Sequence, residues 1–161
     1  MQLAELNTLD AETAAGELLR CCGSTRWARA MTAARPFASV DAAAERSDAI
    51  WSSLDRDDWL EAFAAHPRIG ERAPASGGTS RWSSDEQSGV ADRSRERLSQ
   101  LNRDYERRFG YIFIICATGK TGDEMLRALE RRIGNNPDDE VREAAEEQRK
   151  IARLRLAKLL T

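Results

Sequence analysis

Tyr111-Ile112-Phe113-Ile114-Ile115-Cys116 is the stretch on which the fold class turns. Its β-branched and aromatic residues carry strand propensity, and taken alone they read as a buried β-strand. A strand needs a neighbour to hydrogen-bond, and no second stretch of this character occurs in the chain. The segment is therefore expected to be a buried extended strip inside an otherwise helical protein.

The sequence on either side supports that reading. Upstream, Ser83 begins a helix expected to run to Phe109, with Val90, Leu98, Leu101 and Tyr105 facing inward and Gly110 ending it. Downstream, Thr121-x-x-Glu124 is a capping box ahead of Met125, Leu126, Leu129 and Ile133, and Gly134-Asn135-Asn136 closes that helix. Pro137 after an Asn cap starts the last helix, whose inward positions include Val141, Ala144, Ala145, Ile151, Leu154, Leu156 and Leu159.

Towards the N-terminus, Leu9, Ala14, Leu18 and Leu19, then Trp27, Ala30 and Met31, predict two short helices before Pro36. Asp41 is expected to cap a helix carrying Ala44, Ile50 and Trp51, and Asp55 to open one carrying Trp59, Leu60 and Phe63. That helix stops at His66-Pro67, because proline disfavours the α conformation in the residue before it. Between Pro67 and Trp82 the composition shifts to Gly, Ser, Pro and Thr, which reads as a surface loop. The expected architecture is an all-α, single-domain bundle over residues 1–161, with about seven helices, one long loop and the buried extended segment.

Composition excludes several function classes. A 161-residue chain with 41% hydrophobic and 32% charged residues is ordinary for a globular domain, which argues against disorder or a fibrous repeat. The formal charge is −2 and the acidic and basic residues alternate, so the arginines build no one-signed field that would attract nucleic acid. Cys21, Cys22 and Cys116 lack zinc-ligand or disulfide spacing, which fits a reducing compartment. The longest apolar run, residues 111–117, is far short of the roughly 20 needed to span a bilayer. No secretory signal pattern opens the chain and Leu159-Leu160-Thr161 is no peroxisomal address, so cytoplasmic residence without a membrane partner is expected.

Few residues stand out as chemistry. His66 is the single histidine, placed where a helix gives way to the loop; it could exchange a proton near neutral pH, or simply cap the helix carbonyls. Ser83-x-x-Glu86 is a capping box by spacing, yet Gln87 follows directly, and a helix N-terminus favours an anionic ligand. Arg155, in Leu154-Arg155-Leu156, is either a solvated cation or a fork for a carboxylate or ureido carbonyl. No GxSxG, P-loop, GxGxxG or HExxH motif occurs.

Taken in order, His66-Pro67-Arg68-Ile69-Gly70-Glu71, Ser83-x-x-Glu86-Gln87-x-Gly89 and Leu101-Asn102-x-x-Tyr105-x-x-x-Phe109-Gly110 resemble the 2-oxo-4-hydroxy-4-carboxy-5-ureidoimidazoline (OHCU) decarboxylase family. The resemblance continues through Phe113-Ile114-Ile115, Leu129-Glu130-x-Arg132-Ile133-Gly134-Asn135 and Ile151-Ala152-x-Leu154-Arg155-Leu156, and so covers nearly the whole chain. It implies an all-α fold, often a homodimer, that converts OHCU to (S)-allantoin after urate oxidation without metal or organic cofactor. By family pattern, His66 and Glu86 match the catalytic pair, while Pro67, Ser83, Gln87, Ile115 and Arg155 match substrate-contacting positions. The last helix also carries Arg149 and Arg153; the Leu-Arg-Leu context selects Arg155. Ile112 departs from the family, which commonly has Pro there.

The implied chemistry accounts for these residue types. The departing carboxylate sits on a carbon that also bears a hydroxyl, and the adjacent C=N can take the electrons, so the protein needs to bind, orient and move protons. Rival readings are a non-enzymatic helical interaction module, an arginine-rich nucleic-acid binder, and a relative acting on another ureido acid. The acidic balance weighs against the nucleic-acid binder.

Overall fold

The computed structural model describes residues 1–68 and 89–161. Among the described residues there are eight helices and no strand: α1 (Leu3–Thr8), α2 (Ala11–Leu19), α3 (Thr25–Ala33), α4 (Val40–Ser53), α5 (Arg56–Ala64), α6 (Gly89–Phe109), α7 (Gly122–Arg132) and α8 (Pro137–Leu159). The chain divides into two compact units, one of residues 1–65 with 145–161 and one of residues 66–144.

In the first unit each helix start is a local polar device. Asp10 accepts from the Thr13 N–H at 3.0 Å, Ser24 from Trp27 N–H at 3.2 Å, and Ser39 from Ala42 N–H at 3.0 Å. Asp55 and Asp58 close a reciprocal capping box at the start of α5. α3 packs against α2, α4 and α5. Its inward residues Trp27 and Met31 are fully buried, as are Leu6, Leu18, Phe63 and Leu156, each contributing roughly 1.5–3 kcal/mol of apolar burial. Buried indoles keep a polar partner: Trp27 Nε1 donates to Ser47 Oγ at 3.2 Å and Trp51 Nε1 to the Ala145 carbonyl at 2.8 Å.

Three details differ from the sequence reading, the first being Leu154, read as an inward position of the last helix but 39% exposed. α1 was not expected, because six residues with only Leu3 and Leu6 as inward-compatible positions give no readable period; Leu6 is nevertheless completely buried. α4 is capped by Ser39, and Asp41 lies in its first turn. Both residue types make good caps, and the extended backbone of Ser39 decides between them.

In the second unit, α6 packs against α7. Leu98, Leu101, Tyr105 and Phe109, spaced three and four residues apart, form the buried face of α6. The expected start of this helix at Ser83 lies outside the described residues. It ends as read: Gly110 has φ +85° and its N–H donates to the Glu106 carbonyl at 2.8 Å, a left-handed cap that a side chain would strain. Thr121 and Glu124 form the expected capping box of α7. Asn136 caps α8, its Oδ1 accepting from Asp139 N–H at 2.9 Å.

Residues 111–116 form neither helix nor strand, and Tyr111, Phe113, Ile114, Ile115 and Cys116 are buried. The strip docks on α6 by aromatic contact, with the Tyr105 ring centroid 5.8 Å from Tyr111 and 5.3 Å from Phe113, both edge-on. No described helix is long and apolar enough to cross a membrane.

Candidate functional site

His66 directly follows Ala65, the cap residue of α5, and is half-buried; Pro67 is exposed. The next residue anchors this corner: Arg68 Nε donates to both Glu106 oxygens, at 3.0 and 2.8 Å, tying the segment to the side of α6. His66, Pro67 and Ile115 belong to the second unit and Arg155 to the first. Ser83, Glu86 and Gln87 lie outside the described residues.

Ile115 is 6% exposed and belongs to the strip, whose carbonyls are gripped by cations. Arg132 Nη1 donates to the Ile114 carbonyl at 2.6 Å, and Lys120 Nζ to the Cys116 carbonyl at 3.0 Å. Arg132 is itself buried and paired, with Nη2 at 2.6 Å and Nε at 3.0 Å from Glu140 Oε2. The Tyr105 hydroxyl donates to the same Glu140 oxygen, and Asn135 Nδ2 to the other at 3.0 Å. The Phe113 ring lies over the guanidinium, 4.4 Å from centroid to Cζ. Burial pushes the Tyr105 phenol above its ordinary range and the adjacent carboxylate raises it further, so Tyr105 stays a donor at any physiological pH.

The sequence reading assigned Arg132 and Glu140 no role. A signal was available: Arg132 continues the Met125/Leu129 stripe of α7, and Glu140 precedes Val141 and Ala144 on the inward face of α8, where a charge demands a partner.

Of the four arginines on α8, Arg149, Arg153 and Arg155 are differently engaged. Asp48 pairs with Arg149 at 3.2 Å and with Arg153 at 2.5 Å, and Arg149 also pairs with Glu146 at 2.6 Å. Among the described residues Arg155 makes no ion pair, and it is exposed. Its charge bears on two buried cysteines of the same unit. Burial raises Cys21 to about 11 and Cys22 to about 12, with Arg155 only partly offsetting it. These thiols are protonated at neutral pH and are poor nucleophiles. Among the described residues no three His, Cys, Asp or Glu side chains are grouped as metal ligands.

The second unit offers the His66 imidazole at a helix end and a buried strip with fixed peptide orientation, and the first offers the Arg155 guanidinium, without an ion pair among the described residues. Comparison with known proteins gives these features a context. Residues 7–157 match the family described as OHCU decarboxylase. The chain is 41% identical over 147 residues to the uric acid degradation bifunctional protein TTL of Arabidopsis thaliana, covering 88% of this chain and 45% of that protein. It is 30% identical over 159 residues to the uric acid degradation bifunctional protein PucL of Bacillus subtilis, covering 98% of this chain and 32% of that one. The chain thus spans less than half the length of either bifunctional relative. A crystal structure of OHCU decarboxylase in the presence of (S)-allantoin superposes with TM-score 0.75 at 38% identity, covering 89% of this chain and 96% of the other.

Proposed function

Because the chain belongs to the OHCU decarboxylase family, we propose that it decarboxylates OHCU to (S)-allantoin, a step that follows urate oxidation in purine breakdown. The observation that carries this reading is the family match over residues 7–157, which takes in His66, the residues after it, the strip and the arginines of α8.

In the proposed reaction the C–C bond to the carboxylate breaks, CO2 leaves, and the bonding pair enters the neighbouring C=N. The C=N electrons pass to nitrogen, which takes up a proton. The hydroxyl then gives up its proton as its carbon becomes a carbonyl, and the former C=N carbon is protonated from one face, which sets the S configuration. The substrate's own C=N is the electron sink, so no cofactor is invoked. His66 contacts the hydroxyl on the reacting carbon and manages its proton, and Glu86 serves as proton shuttle or electrostatic partner. Assistance of this kind is worth about 10²–10⁴ in rate. Pro67, Ser83, Gln87 and the main chain at Ile115 hold the ureido group and the ring amides.

Arg155 holds an anionic or carbonyl oxygen. Its lack of an ion-pair partner among the described residues supports choosing it, since Arg149 and Arg153 are both committed to Asp48. We further assign the protein to the cytoplasm and to a homodimer, which light scattering on the purified chain would test by showing twice the chain mass.

The test generates OHCU from urate in situ and compares initial rates of the wild type with His66→Ala and Glu86→Ala. Loss of about 10²-fold or more in each variant is expected for a general acid–base pair. A near-normal rate in either one removes that residue from the proposed pair.

A further inference from the structure

Arg132 does more in this geometry than neutralise Glu140. Its Nη1 holds the Ile114 carbonyl at 2.6 Å, and the Ile114–Ile115 peptide is one planar unit. In a trans peptide the C=O and N–H point in opposite directions. Fixing the Ile114 oxygen on the buried guanidinium therefore aims the Ile115 N–H away from it, to the other side of the strip. That N–H has no backbone hydrogen-bond partner among the described residues, although Ile115 is only 6% exposed. A buried donor left unmatched is costly in a folded protein and calls for a partner, whether ligand, ion or water.

The grip also changes how strong a donor the amide is. A cation on the carbonyl oxygen draws electron density through the peptide and strengthens the N–H at the other end, as in any polarised hydrogen-bond chain. Two contacts, one of them braced in turn, keep Arg132 from turning. Glu140 takes its other guanidinium edge, the Tyr105 hydroxyl and Asn135 hold that carboxylate, and the Phe113 ring covers the plane.

We propose that Arg132, held by Glu140 and Tyr105, is a positioning residue that orients the Ile115 N–H as a hydrogen-bond donor to the substrate. This rests on the decarboxylase reading above, and it adds an element that reading does not contain: a buried ion pair, facing away from the ligand, that sets the direction of a main-chain donor facing it. The donor suits an oxygen of the ureidoimidazoline that gains negative charge as CO2 departs. Preorganised donors at such oxygens are worth about 10²–10³ in rate when one is deleted, so a misaimed donor should lose part of that.

The test uses the full chain labelled with ¹⁵N, (S)-allantoin as the probe, and the rate assay in parallel. In the wild type the Ile115 amide resonance should shift saturably with allantoin. In Arg132→Lys, which keeps the charge but cannot grip Glu140 and the Ile114 carbonyl together, that shift should shrink and kcat/KM fall about tenfold or more. Should Arg132→Lys not fold, Tyr105→Phe carries the test: it keeps the ion pair, removes one hydroxyl, and should displace the Ile115 amide and slow the reaction severalfold.

A wild-type Ile115 amide that ignores allantoin while other resonances respond overturns the inference and leaves the decarboxylase reading standing. So does a folded Arg132→Lys with wild-type rate and shift, or a folded Tyr105→Phe with both unchanged. A wild type that does not accelerate OHCU loss at all defeats the decarboxylase reading itself, a separate result.

Discussion

Replacing Arg132 by Met should be among the most damaging single changes in the second unit, and its size follows from what the side chain leaves behind. Arg132 and Glu140 are 1% and 0% exposed as side chains, so Glu140 would be stranded in the interior with only Tyr105 and Asn135 as donors. The Ile114 carbonyl would lose its guanidinium donor as well. Removing one partner of a buried pair costs about 3–5 kcal/mol. In a chain of this length each kcal/mol moves the midpoint by about 2–4 °C, so thermal unfolding followed by far-ultraviolet circular dichroism should show Tm lowered by about 6–20 °C. The double variant Arg132→Met/Glu140→Leu should behave differently. It removes the stranded charge together with its partner, so it should recover a large part of the loss, because burying two charges carries its own desolvation cost. A fall of less than about 2 °C in the single variant, or a double variant worse than the single one, would refute the claim that this pair is a desolvated, mutually dependent unit.

Three further outcomes are expected. A Cβ at Gly23 would sit 2.5 Å from Ala65 Cβ, the residue before His66, so Gly23→Ala should destabilise by about 1–3 kcal/mol in urea unfolding, and adding Ala65→Gly should restore most of it. Hydrogen bonding and attraction from Arg131 hold the Glu143 carboxyl below its ordinary value of 4.5. A depressed folded-state pKa gives stability that is present above the unfolded value and lost as pH falls through the folded one, so the Tm gap between wild type and Glu143→Gln should be open at pH 7 and close below about 4.5. With burial raising Cys21 to about 11 and Cys22 to about 12, neither thiol should take up iodoacetamide at pH 7.5 in the folded protein, and both should react promptly in denaturant; rapid native labelling would contradict their burial.

What could be read from sequence was what local rules decide. The Thr121/Glu124 and Asp55 caps, the Asn136-Pro137 start and the Gly110 stop each depend on a few neighbouring residues, and each appears as expected. The strip at 111–116 was readable for a different reason: strand-like residues without a second strand can only be satisfied by burial against helices. α1 escaped because its two turns are too short to show a period, and the cap of α4 because Ser39 and Asp41 compete within one turn. The buried charges escaped because Arg132 and Tyr105 each meet Glu140 only after α6, α7 and α8 have come together. At the candidate site, His66 was conspicuous as the single histidine at a helix end. Arg155 was chosen from the Leu-Arg-Leu context, whereas the pairing of Arg149 and Arg153 with Asp48, some hundred residues away in sequence, shows only in the structure.

The most direct test of the account follows the circular dichroism of allantoin while OHCU forms from urate in the presence of the chain. The account predicts rapid appearance of the S enantiomer, much faster than spontaneous decay and proportional to protein added, with His66→Ala returning the trace to the spontaneous one. A racemic product appearing at the uncatalysed rate with the wild-type chain present would contradict it.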